Sequence, residues 1–154
     1  MQRTAFVVIV MFLLAVSSPA QEKKEEPAPP PVFPVSKQIT VALTSVSLEK
    51  YGAQKEGVTF KAGETVFINL EMKGLKADKG GNVVIQADLV IPQLGLDKKN
   101  LVNGSTPFEE TVPMYFQIPI GSVERGGTCE ATITIRDMTA RTQVKFKTTF
   151  QLAE

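Results

Sequence analysis

Between two glycines, Gly63 and Gly74, the chain reads Gly-Glu-Thr-Val-Phe-Ile-Asn-Leu-Glu-Met-Lys-Gly. Val66, Ile68, Leu70 and Met72 alternate there with Phe67, Asn69, Glu71 and Lys73. A period of two puts one apolar row on one side of an extended chain, the pattern of a half-buried strand. One such strand cannot bury its face alone, so the rest of the chain has to supply a second packed layer.

The following segments supply it. Val83, Ile85, Ala87, Leu89 and Ile91 form an inner row, with Val84, Gln86, Asp88 and Val90 facing away and Pro92 ending the strand. Phe108 to Ile120 alternates through Val112, Met114, Phe116, Ile118 and Ile120, and Pro113 and Pro119 mark it as an edge or interrupted strand. Cys129, Ala131, Ile133 and Ile135 alternate with Glu130, Thr132, Thr134 and Arg136, and a reversal at Asp137 to Ala140 leads to the row Val144, Phe146, Thr148, Phe150 and Leu152. Upstream, Ile39, Val41 and Leu43 share one parity while Val46 and Leu48 take the other. That slip predicts a bulge, or a first strand that switches between sheets. Gln93 to Pro107 has little periodicity and reads as a long connection carrying at most one short edge strand. No segment has a helical period. The rhythm predicts an all-β antiparallel sandwich of about seven strands.

The ends of the chain are of another kind. Arg3, the apolar run Ala5 to Val16 and the small residues of Ser18-Pro19-Ala20 match a cleaved export signal over residues 1–20. Twelve helical residues span roughly 18 Å against a hydrocarbon core of about 30 Å, so no stable membrane span is expected after cleavage. No cysteine follows the run, which argues against a lipid-anchored form. Residues 21–37 are charged and then proline-rich, a composition that stiffens a chain and buries little, and they are expected to act as a spacer before a domain over 38–154. The destination is secreted or periplasmic.

The run Val58-Thr59-Phe60-Lys61-Ala62-Gly63-Glu64-Thr65-Val66, the proline-marked strand and Ile133-Thr134-Ile135-Arg136-Asp137 resemble the immunoglobulin-like or fibronectin-type-III-like modules of bacterial secreted proteins. The resemblance implies a sandwich fold and an extracytoplasmic habitat, and many such modules have no assigned activity. The chain departs from the antibody pattern in lacking tryptophan and in having one cysteine, so the inter-sheet disulfide is absent.

Composition removes several chemistries. There is no histidine, which excludes Ser-His-Asp and Cys-His pairs and every His-containing zinc site. Cys129 shares parity with Ala131, Ile133 and Ile135 and is expected to be a buried thiol. Carboxylates show neither a converging catalytic pair nor the Asp-x-Asp-x-Asp-Gly spacing of a calcium loop. Catalytic residues, metal and cofactor are therefore not expected. Basic and acidic residues number 17 and 16, and removing the first twenty residues takes away only Arg3. A near-neutral chain has no electrostatic footprint for nucleic acid.

The expectation is a noncatalytic module for protein-protein interaction or structure, its partner another extracytoplasmic protein or an envelope component. The candidate partner surface is the outward side of the last strands: Thr132, Thr134 and Arg136 beside Lys145 and Lys147, joined by Gln86 and Asp88 because the resemblance implies that the third strand pairs with the sixth, as in the usual sandwich. It is expected to be flat, hydrogen-bonding and mildly basic. The alternatives are a small-ligand or carbohydrate-binding module, for which Tyr51 and Tyr115 are the only large polar aromatics, and a proteinase-inhibitor-like domain using an exposed loop within 93–107.

Overall fold

The alternating stretch Val66 to Met72 forms the centre of β3 (Thr65–Lys73), the middle strand of a three-stranded sheet. Its neighbours are β1 (Thr40–Ser47) and β6 (Thr111–Pro119), both antiparallel to it. The computed structural model describes residues 29–54, 57–121 and 126–153; the expected export signal over 1–20 and the charged start of the spacer lie outside the described residues.

The remaining strands are β2 (Thr59–Phe60), β4 (Asn82–Ile91), β5 (Leu96–Pro107), β7 (Gly127–Asp137) and β8 (Thr142–Leu152), paired in the order β2-β8-β7-β4-β5. All pairings in this second sheet are antiparallel except that of β2 with β8, which is parallel. The protein is thus an all-β sandwich, with a single 3-10 turn, Pro92–Leu94, and no α-helix among the described residues. No helix there is long and apolar enough to cross a membrane.

The core is the sum of the alternating rows. Val66, Ile68, Leu70 and Met72 of β3 and Val112, Met114, Phe116 and Ile118 of β6 face Val83 to Ile91 of β4 and Cys129 to Ile135 of β7. Burying each large aliphatic side chain contributes roughly 1.5–3 kcal/mol. In a chain with one unpaired cysteine, this packing is what holds the layers together. Pro113 and Pro119 sit on β6, an edge strand, where a missing backbone donor costs no ladder bond on the open side.

Two irregularities matter. In β1 the register with β3 passes from Leu43 opposite Leu70 to Ser45 opposite Asn69, so Thr44 is bulged out and the inward parity changes. The slip in the sequence is this bulge. The second is a correction. Gln93 to Pro107 is not a long connection: after the 3-10 turn it is a twelve-residue edge strand, β5, hairpinned to β4. Its hydropathy hides the period of two, because of the less exposed positions Leu96, Lys98, Asn100, Leu101, Val102, Gly104 and Thr106 only Leu96, Leu101 and Val102 are aliphatic, and the last two are adjacent in sequence. The exposed loop on which a proteinase-inhibitor reading depends is therefore absent from 93–107.

Candidate functional site

The outer side of the five-stranded sheet carries all seven residues singled out from the sequence. Gln86 lies opposite Arg136 and Asp88 opposite Thr134 across β4 and β7, while Thr132 pairs with Lys147 and Thr134 with Lys145 across β7 and β8. They are not equally accessible. Lys145 and Lys147 are exposed and Gln86, Thr132 and Thr134 are half-buried, but Asp88 and Arg136 are each only 4% exposed.

Against the expectation of a flat, hydrogen-bonding, mildly basic face, the side chains of Asp88 and Arg136 are covered. Arg136 grips Asp88 with both terminal nitrogens, Nη1 donating to Oδ1 at 2.9 Å and Nη2 to Oδ2 at 2.5 Å. The charges cancel locally. Two segments wall the pair in. On one side the β4–β5 register jumps from Ala87 opposite Val102 to Leu89 opposite Lys98, and the extra residues of β5 loop out against Asp88. Asn100 takes a φ of 53° in this bulge, a left-handed conformation that asparagine tolerates, and its amide donates to Asp88 Oδ1 at 2.9 Å.

On the other side lies the second half of the proline-rich segment. Arg136 Nε donates to the Pro31 carbonyl at 2.8 Å. The Gln143 amide donates to the Pro34 carbonyl, the Ser36 amide to the Gln143 carbonyl and the Phe33 amide to Gln143 Oε1, with Val35 in a parallel bridge to Gln143. Residues 31–36 are thus strapped onto the sheet. Burial alone would raise the Asp88 carboxyl, but the hydrogen bonds from Arg136 and from the Asn100 amide, with the charges of Arg136 and Lys99, outweigh it and hold its pKa below the ordinary value.

The accessible remainder of the face is the patch around Lys145 and Lys147. Lys147 Nζ meets Glu130 Oε1 at 2.7 Å in an exposed ion pair, which in water contributes little. Lys145 forms no ion pair among the described residues.

No protein-family model and no curated protein matches the chain. Among solved structures, a conjugative transposon lipoprotein from Bacteroides eggerthii DSM 20697 aligns with a TM-score of 0.37 at 18% identity, over 75% of this chain and 98% of its own. A likeness that distant assigns this chain neither a family nor an activity.

The opposite outer face, on the three-stranded sheet, is closed by the residues after β1. Asn69 is fully buried; its Nδ2 donates to Ser45 Oγ at 2.8 Å and Ser47 Oγ at 3.2 Å, and its Oδ1 accepts the Tyr51 amide. Tyr51 and Tyr115 stack edge to face with centroids 5.6 Å apart, and Lys50 Nζ caps Tyr115 at 4.6 Å. Tyr115 is 3% exposed, so these two rings pack against each other and do not form an open platform for a sugar. Cys129 is 1% exposed, and burial pushes its thiol pKa up, away from the thiolate a nucleophile needs. No group of three or more metal-ligating side chains occurs among the described residues.

Sequence reasoning missed Gln143, Asn100 and the strap. Gln143 continues the outward parity of Lys145 and Lys147 by one step, and Pro-Val-Phe-Pro-Val over 31–35 is apolar where the preceding Gln21 to Glu26 is charged. That contrast was the available signal that the two halves of the spacer behave differently.

Proposed function

We propose that this protein is an exported, noncatalytic module of the immunoglobulin-like or fibronectin-type-III-like kind that acts in protein-protein interaction or as a structural element of the cell envelope. The strand order supports the family reading. Strands β1, β3 and β6 stand where the first, second and fifth strands of an immunoglobulin constant domain stand, and β4, β7 and β8 where the facing three do; the differences are that β5 and the short β2, parallel to β8, join the second sheet. The signal-like residues 1–20 support export.

The observation that carries the functional reading is the outer face of the five-stranded sheet. A buried, fully bonded ion pair fixes three adjacent strands there, and beside it Thr132, Thr134, Lys145 and Lys147 stand on a rigid scaffold with polar groups directed outward. Asp88 and Arg136 belong to this site as its buried support, and the half-buried Gln86 lies beside them. The partner is another extracytoplasmic protein or envelope component whose surface complements hydroxyls and ammonium groups.

The test is affinity capture from an extracytoplasmic extract with the wild-type chain and with Lys145→Glu/Lys147→Glu. The double variant keeps its thermal stability, since both side chains are exposed, and loses the captured partner. Equal capture by both proteins would remove this face as the site.

A further inference from the structure

We infer that the outer sheet surface over Arg136 and Gln143 is a groove for an extended, proline-rich peptide segment of a partner protein, and that residues 31–36 of this chain are its resident occupant. The inference rests on the partner-face reading above and names the chemistry of the partner at that face.

The recognition is through backbone, at a repeat of three. The carbonyls of Pro31 and Pro34 both turn to the sheet, one onto Arg136 Nε at 2.8 Å and the other onto the Gln143 amide at 2.9 Å. Val32 and Val35, also three apart, both turn outward, 88% and 71% exposed. Three residues per turn is the repeat of polyproline II, which puts carbonyls i and i+3 on one side and leaves the intervening side chains free. Prolines suit this groove for a second reason. Having no N–H, Pro31 and Pro34 bring no donor that the sheet would have to satisfy, and the Phe33 amide finds Gln143 Oε1.

The receptor side is prebuilt. Asp88 occupies both terminal nitrogens of Arg136, so the guanidinium cannot rotate and its Nε stays aimed at the strap. Gln143 offers amide, carbonyl and side-chain oxygen from one position. The strap's valines point away, so an extended segment satisfies these groups when it repeats the carbonyl spacing of Pro31 and Pro34 and keeps non-proline residues, with their N–H donors, at the positions of the half-buried Phe33 and of Ser36. A second copy of the chain gains nothing by exchange, since its own tethered segment acts at an effective concentration on the order of millimolar. A partner segment that also reaches the exposed Lys145 next to Gln143 gains contacts that the strap lacks.

The experiment uses a fluorescent peptide with the sequence of residues 29–36 and three full-length chains: wild type, Pro30→Gly/Pro31→Gly/Pro34→Gly, and Phe33→Pro, which removes the strap hydrogen bond to Gln143 Oε1 together with the half-buried Phe33 ring and changes no residue of the sheet. The glycine substitutions raise the entropic cost of docking in cis. The peptide is expected to bind the triple variant about tenfold or more tighter than wild type, Phe33→Pro in between, and the all-D peptide none of them. In hydrogen exchange the Gln143 amide is expected to be protected in wild type and to lose protection in the triple variant, while the Ile133 and Phe146 amides keep theirs. Failure of the peptide to bind either variant at concentrations on the order of millimolar, or equal binding to all three chains, overturns the groove. Concentration-dependent dimers that vanish in the triple variant would assign the groove to a second copy and overturn the partner assignment. If the peptide fails while capture still depends on Lys145 and Lys147, the groove falls and the interaction face stands.

Discussion

Asp88 and Arg136 form a two-pronged ion pair on the outer face of a sheet, buried to 4% exposure although neither belongs to the apolar core. Each partner also serves the backbone, Asp88 the Asn100 bulge and Arg136 the strap at Pro31. Removing one member leaves an uncompensated buried charge, which costs about 3–5 kcal/mol, whereas replacing both by apolar residues of similar volume costs far less. Urea unfolding is expected to show Arg136→Ala and Asp88→Ala each losing that amount, and Asp88→Leu/Arg136→Met losing much less than their sum. Single losses under about 1 kcal/mol would show that the pair is solvated.

The pair also sets a pH dependence. The folded pKa of Asp88 lies below its unfolded value, so its contribution to stability is complete above the ordinary carboxylate range and is lost as pH falls through the lower, folded value. The stability gap between wild type and Asp88→Asn, measured by urea unfolding from pH 7 downward, is therefore expected to shrink in acid. A gap that stays constant over that span would contradict the assignment.

Gly74 ends β3 with a φ of 77°, and a Cβ there would stand 2.0 Å from the Gln38 carbonyl oxygen at the entry to β1. Gly74→Ala combines a left-handed backbone with a clash against main chain, and is expected to cost about 1–3 kcal/mol. Gly121→Ala, where nothing lies within 4 Å of the added atom, is the control and should change stability by less than about 0.5 kcal/mol.

The periods of two were legible because most strands bury one face under aliphatic side chains. Val66 to Met72, Val83 to Ile91 and Cys129 to Ile135 show their inward rows directly, and the parity change between Leu43 and Val46 announced a bulge. β5 was hidden because most of its sheltered positions are filled by Lys98, Asn100, Gly104 and Thr106, as an edge strand at the rim of the sandwich allows, and its aliphatic Leu101 and Val102 are adjacent and break the alternation. The candidate face was readable as a set of outward positions, since register follows from parity. Its burial was not readable. Which outward residues are covered depends on where a distant proline-rich segment lands, and the hydrogen bond from Arg136 to Pro31 spans 105 positions of sequence.

Cys129 lies in the inner row of β7, and burial raises its thiol pKa. Its reaction with a thiol reagent is expected to be slow in the native protein, to accelerate with urea in step with unfolding, and to be fast in the denatured chain. Rapid native labelling would place the thiol at the surface and reopen a reactive role.

The claim that the outer face of the five-stranded sheet is the binding surface is tested most directly by hydrogen exchange on the free chain and on its complex with the captured partner. The account predicts added protection at Thr132, Thr134, Lys145 and Lys147, with the outer face of the three-stranded sheet around Glu71 and Gln117 unchanged. Protection confined to Glu71, Gln117 and their neighbours, with β7 and β8 exchanging as in the free chain, would contradict it.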